Sequence, residues 1–241
     1  MAAASGEFTP LYHQLKMALR GRIERGDWLP GHRIPTEREL CEEHGVSRLT
    51  VRRAIAELAT EGLLVGRQGK GVFVAQSKLE QTLSAFYSFT SYMKEKGLSP
   101  TSDILGVCEM PSPPAVAQRL GIPSGEAVAR ITRLRRADSE PIIYESSYLP
   151  CTVFPGLAGD GLAESPLYEI LRNRYACVPV RATEWFEPTL LSNEEASLLG
   201  VDAGAPAMLL ERVTYTYGDR PIEFCKGVVR GDRCRYCVEL K

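Results

Sequence analysis

Histidine is scarce in this 241-residue chain. There are three, His13, His32 and His44, all near the N-terminus. The rest of the chain therefore has no imidazole to serve as a general base beside a nucleophile or as a metal ligand. Long apolar runs are missing as well: none approaches the roughly 18 residues needed to span a bilayer. Residues 1–7 lack the basic start and apolar core of a secretion signal. These absences predict a cytoplasmic protein with no membrane partner. Cysteine shows no pairing pattern. Seven thiols, at positions 41, 108, 151, 177, 225, 234 and 237, are an odd number and fit reduced side chains better than a disulfide framework. Only Cys234 and Cys237 are close together. On a strand they would project to opposite faces, and no second pair completes a tetrahedral site. No metal or other cofactor is expected.

A strong overall charge is also absent, with 29 Lys and Arg against 30 Asp and Glu. Of these, 11 basic against 9 acidic residues fall in positions 1–76, giving +2, and 18 against 21 in the remainder, giving −3. Only positions 46–76, with five basic and two acidic side chains, form a local basic footprint of the kind that a nucleic acid attracts. What is present is enough apolar material, 44% of residues, for real cores.

The strongest local signal runs from Pro35 to Leu63. Thr36 followed by Glu39 is a capping box that starts a helix near Glu37, Gly45 can close it in the left-handed conformation, and Ser47 can cap the next helix. Val51, Ala54, Ile55 and Leu58 recur at helical spacing as a buried stripe, with Leu40 packed on it. Arg48 and Arg52 then lie one turn apart on another face. Such arginines can bond guanine O6 and N7, while Thr36, Ser47 and Thr50 carry hydroxyls able to reach phosphate, and Arg38 on the first helix can join them. Taken singly, such arginines could equally solvate a helix face. After the helices, Leu63 to Val74 reads as a hairpin whose tip, Gly66 to Gly71, carries Arg67, Gln68, Gly69 and Lys70: a wing. A nucleotide-binding loop is disfavoured there, because no helix opens after the glycines. Upstream, Leu11, Leu15, Leu19 and Ile23 predict a bracing helix over residues 10–25.

Together these motifs (Leu29-Pro30-Gly31, Pro35-Thr36-Glu37-Arg38, Val46 to Arg52, Gly69 to Val74) resemble the winged helix-turn-helix of the GntR transcription regulators. The remainder resembles the UTRA effector-binding domain of the HutC branch. The resemblance implies DNA contacts at Arg38, Arg48, Arg52 and the wing tip at Gly69, and an α+β chain with a chorismate lyase-like antiparallel sheet. We expect domains at residues 1–76 and 85–241, with a linker at 77–84.

Beyond the linker, Leu120 to Gly125 overlays Leu199 to Gly204 at an offset of 79 residues. Each copy reads helix, strand, turn, strand, and two such units can form one antiparallel sheet with a ligand crevice. Arg133 and Arg135 share one strand face, whereas Val213 and Tyr215 are read as their counterparts, so that only one half carries a guanidinium clamp for an anion. Neutralisation by Glu145 or Glu223 is the competing reading. The resemblance implies an effector pocket lined by Phe89, Thr90, Arg133, Arg135, Glu145, Ser165, Tyr168, Glu223 and Arg230. Relatives that bind phosphorylated amino sugars carry a tyrosine where this chain has Val229, before Arg230-Gly231-Asp232-Arg233. Arg230 and Asp232 could instead form a buried ion pair. The expectation is a homodimeric repressor of two-fold operator DNA, modulated by a small anionic effector. A lyase-like enzyme and an architectural DNA-binding protein are the alternatives.

Overall fold

The computed structural model describes residues 9–67, 69–75, 78–83, 88–159, 162 and 165–240. Gln68 at the wing tip, residues 76 and 77 at the expected boundary, 84–87 at the end of the expected linker, and the N-terminal eight residues lie outside that set. The chain divides into two compact units that meet between residues 77 and 78, and each is taken by itself.

In the first unit α1 spans Leu11–Glu24, α2 Glu37–His44 and α3 Arg48–Thr60. The Thr36 hydroxyl accepts from the Glu39 amide at 3.3 Å, and the Glu39 carboxylate accepts from the Thr36 amide at 2.7 Å, so the capping box is closed. Gly45 ends α2 at φ 64°, where a Cβ would be strained. Ser47 caps α3 by accepting from the Thr50 amide at 3.2 Å. Leu19, Leu40, Val51, Ala54 and Leu58 are fully buried in one cluster, and each large aliphatic contributes roughly 1.5–3 kcal/mol by leaving water. Strands β1 (Leu64–Arg67) and β2 (Gly71–Val74) pair antiparallel as the wing. Residues 31–34 add a third edge, with the Ile34 amide donating to the Val72 carbonyl and the Val74 amide to the His32 carbonyl, each at 2.9 Å.

The second unit begins with β3 (Leu79–Thr82), then α4 (Phe89–Glu95), β4 (Pro100–Pro111), α5 (Pro114–Leu120), β5 (Ala127–Ala137) and β6 (Glu140–Pro150). It continues with α6 (Leu167–Tyr175), β7 (Arg181–Leu190), α7 (Asn193–Leu199), β8 (Pro206–Thr216), β9 (Arg220–Arg230) and β10 (Cys234–Cys237). Six strands form one antiparallel sheet in the order β4-β5-β6-β9-β8-β7. Its halves repeat each other closely. Pro111 pairs with Ala127 as Leu190 pairs with Pro206, and the bulge after Arg135 recurs after Thr214, all at the 79-residue offset.

Strand alternation separates two faces. Leu134, Tyr144, Val213 and Phe224 look to one side, where α5 packs on β9 and α7 packs on β6, so each half's helix covers a strand of the other half. On the other side, α6 and residues 151–159 cover Ala129, Ile131 and Leu149, while α4, β3 and β10 gather around Ile143 and Leu210. Helices therefore lie on both faces.

The linker expectation needs correction. Leu79–Thr82 is a strand that pairs in parallel with Cys234–Cys237, and Leu79 packs beside Met93 and Val229. Its partner lies more than 150 residues away, so no local periodicity announced it.

Candidate functional sites

Two clusters hold the residues singled out from the sequence, one in each unit. On the first unit they share a surface around α2, α3 and the wing. Arg38 is exposed and lies 3.6 Å from Glu42. Arg52 is also exposed, and its Nε donates to Glu37 Oε2 at 2.8 Å. Its neighbour Arg53 turns away, stacking over the Tyr12 ring of α1 at 3.7 Å. For Arg48 no carboxylate stands within ion-pair distance among the described residues. Thr36 and Ser47 spend their hydroxyls on caps, and Ser47 Oγ lies 2.8 Å from Thr50 Oγ1. Gly69, at φ 69°, and the exposed Lys70 stand at the wing turn.

Sequence reasoning missed Arg33. Residue 33 bridges to Phe73, and a Cβ built on Gly71 (φ 111°) would stand 2.8 Å from Arg33 Nε. Glycine at 71 therefore lets this cation lie flat on the wing backbone. Only the contact between residues far apart in the chain reveals it.

In the second unit a cavity of about 660 Å³ opens between the sheet, α4 and α6. Phe89, Thr90, Arg133, Arg135, Glu145, Tyr168 and Glu223 line it. Arg133 NH2 and Arg135 Nε meet the same oxygen, Glu145 Oε1, at 2.6 and 2.8 Å. Arg133 also donates to Ser147 at 2.7 Å, and Arg135 donates to Ser102 at 2.8 Å and lies over the Phe89 ring. The Tyr168 hydroxyl donates to Glu223 at 2.8 Å, and Thr214 donates to the same carboxylate oxygen at 3.0 Å.

The electrostatics follow from burial set against pairing. Burial pushes the Glu145 carboxyl up, but Arg135 and Arg133 outweigh it and hold the group down at about 2. Cys225, whose thiol donates to Glu145 Oε2 at 3.6 Å, is pushed well up by burial and then by that carboxylate, so it stays a neutral thiol. Burial, with Glu223 adding to it, likewise raises Tyr168. Arg133 keeps a buried Nε–H with no hydrogen-bond partner among the described residues. Gly227 stands opposite Glu145 and has no room for a side chain: a Cβ would lie 2.7 Å from that of Glu145.

At three places the structure departs from what the sequence suggests. The first is the matching of Val213 and Tyr215 to Arg133 and Arg135; the paired clamp itself stays in one half, because Thr214 stands where Arg135 does. The register pairs Arg133 with Glu145 and Arg212 with Cys225, so Arg212 is the counterpart of Arg133 and also lines the cavity, 3.4 Å from Glu184. Val213 and Tyr215 belong to the opposite face. The 79-residue offset, applied consistently, places residue 212 under 133, one residue away from Val213. The second concerns Arg230. It is buried outside the cavity lining, donating to Asp232 at 3.0 and 2.7 Å and to the Pro141 carbonyl at 3.0 Å. It fastens the end of β9, and Val229 beside it is fully buried among Ile142, Ile143 and Met93. Val229 is not among the residues that line the cavity. The third is Ser165, which is exposed before α6; Pro166 and Leu167 line the cavity instead.

Further cations, not singled out from the sequence, bias the lining. Lys94 and Lys96 of the α4 end and Arg172 of α6 join Arg133, Arg135 and Arg212, giving six basic side chains against Glu95, Glu145, Glu169 and Glu223. Among the described residues no cluster of His, Cys, Asp and Glu could hold a metal, and no helix is long and apolar enough to cross a membrane.

Comparison with known proteins gives the same division. Residues 11–74 match the profile described as bacterial regulatory proteins, gntR family, and residues 95–235 match the UTRA domain. The HTH-type transcriptional repressor NagR of Bacillus subtilis is 37% identical over 225 residues, covering 93% of this chain and 92% of that protein. The HTH-type transcriptional repressor PhnF of Mycolicibacterium smegmatis is 33% identical, covering 95% and 93%. The crystal structure of PhnF superposes with a TM-score of 0.66 at 31% identity, over 96% of this chain and 99% of that one.

Proposed function

The chain belongs to the gntR family of bacterial regulatory proteins, HutC type, with a UTRA domain, and on that premise we propose that it is a homodimeric repressor released from two-fold operator DNA by a small anionic metabolite. It is a DNA-binding transcriptional regulator and not an enzyme, as its repressor relatives are. The chorismate lyase-like alternative is thereby set aside. A purely architectural role leaves a lined cavity of this size without a use.

On our reading Arg48 and Arg52 read guanine edges, Arg38 and Lys70 meet the DNA with them, and Thr36, Ser47, Thr50 and the Gly69 backbone approach phosphates. Reading two half-sites about one helical turn apart calls for a two-fold dimer, and operator DNA places the protein in the cytoplasm. In the second unit, Arg133, Arg135, Phe89, Thr90, Glu145, Tyr168 and Glu223 form the effector site, with Arg212 added and Ser165 and Arg230 left out. The observation that carries an anionic ligand is the cationic excess of the lining, six side chains against four. Guanidinium groups bind carboxylate or phosphate through charge-assisted bonds. The ligand must prefer one dimer arrangement, since equal affinity for both shifts nothing.

The test takes the full chain and a panel of phosphorylated and carboxylated metabolites. Thermal shift selects binders, because a ligand stabilises the state it occupies, and fluorescence anisotropy on selected DNA then reads release. Arg135→Gln keeps the Arg133–Glu145 pair intact, so this variant should bind DNA normally and respond to the selected anion weakly or not at all. An unaltered response in Arg135→Gln would remove the clamp from the effector site.

A further inference from the structure

Leu49 is the second residue of α3, between Arg48 and Thr50, and 77% of its surface is exposed. Its direction follows from helix geometry. Val51, Ala54 and Leu58 are fully buried and mark the inward side. At 3.6 residues per turn, each residue rotates by about 100°, which aims Leu49 almost directly away from the mean direction of those three. Arg52 and Arg53, both exposed and one turn on, flank it, with Arg48 on the rim nearer the helix start. The most outward position of the arginine-bearing surface is thus held by an aliphatic side chain that nothing in this unit covers, among the described residues.

Solvating that face would call for a polar residue, and capping would call for nothing at 49. A leucine gains there only if a partner takes it out of water. In the major groove the base pairs offer one apolar group, the C5-methyl of thymine. We propose that Leu49 is a specificity-determining contact to a thymine methyl group, adjacent to the bases met by Arg48 and Arg52. The inference rests on the DNA-binding role of α3 and goes beyond it by naming a base and an atom. It adds an apolar letter to a surface otherwise read through hydrogen bonds.

Replacing thymine by deoxyuridine deletes that methyl and leaves every hydrogen-bonding edge in place, which makes the test specific. The full-length protein is first used to enrich duplexes from a randomised pool, and each thymine of the enriched sequence is then changed singly to deoxyuridine. Anisotropy titrations at fixed salt compare the unmodified protein with Leu49→Ala. The expected result is a loss of about fourfold at one thymine per half-site, the transfer of one methyl group back to water, with Leu49→Ala binding both duplexes equally. Because Leu49 is exposed, the alanine variant should melt with the parent. The proposal is overturned if no single replacement weakens the unmodified protein, or if Leu49→Ala retains the same loss. Failure to enrich any duplex would overturn the DNA-binding role as well as this contact, whereas enrichment without sensitivity to the methyl overturns the contact alone.

Discussion

Arg48 with Arg52 and Arg133 with Arg135 are two pairs of arginines that a reader of the sequence would treat alike, and the molecule treats them oppositely. The first pair stands in water at a helix start; Arg52 touches only the edge of Glu37, and Arg48 meets no carboxylate among the described residues. The second lies on a sheet under α4 and α6, with both guanidiniums on one oxygen of a buried carboxylate. The lesson is that surroundings decide what a guanidinium is for. Exposed, it is free to exchange water for a phosphate or a base. Buried, it is already part of the stability of its own unit, and any ligand must join an existing ion cluster.

Breaking the buried cluster should have the largest effect. Arg133→Ala leaves Glu145 buried with half its charge compensation, which should destabilise the second unit by roughly 3–5 kcal/mol. Differential scanning calorimetry would show the drop, and a neutral result would erase the contrast between the pairs. The double alanine variant of Arg133 and Arg135 would strand Glu145 altogether, so it tests folding more than ligand response.

Next in size is the exposed pair. Arg48→Ala should cost about 1–3 kcal/mol of operator affinity while shifting stability by no more than about 0.5 kcal/mol. Anisotropy and thermal melting on the same sample separate the two quantities. A variant that melts early but binds well when folded would reverse the assignment.

Acid sharpens the same comparison. Glu145 is held well below the ordinary carboxylate value, at about 2. The folded state therefore binds its proton less readily than the unfolded state, so its contribution is fully present above the unfolded value near 4.5 and is lost as pH falls toward 2. The second unit should lose stability across that window, and Glu145→Gln should flatten the profile. An equally steep profile in the glutamine variant would mean that other carboxylates dominate.

The smallest effect belongs to Glu37. As an exposed pair with Arg52 its worth to stability is about 0–1 kcal/mol, so Glu37→Gln should melt normally. It should weaken operator binding by less than Arg52→Ala does, because Arg52 keeps its charge and loses only a lateral support. Equal losses would make Glu37 a DNA contact in its own right.

What could be read in advance divides along chain distance. The capping box at Thr36 and Glu39, the left-handed Gly45 and the Val51-Ala54-Leu58 stripe are written in residues within a turn or two of one another, and the structure has all three. The repeat was legible because two copies of one turn motif could be laid together. Strand β3, Arg33 on Gly71 and the lysines at the end of α4 depend on contacts that no short window contains. Arg212 is a different case: the repeat placed it, and a phase slip of one residue hid it, since on a strand one residue is the other face. Arg230 kept two readings in the sequence, because an ion pair two residues long, with Asp232, looks the same there whether it fastens a strand or greets a ligand.

The helices α5 and α7, each lying over a strand of the opposite half, bind the repeat units as a handshake does. A cut between them would leave both fragments without the roof for their own apolar surface, so neither could persist without the other. Arg133 and Arg212, at equivalent positions of the two copies, thus face one shared cavity between walls contributed by both.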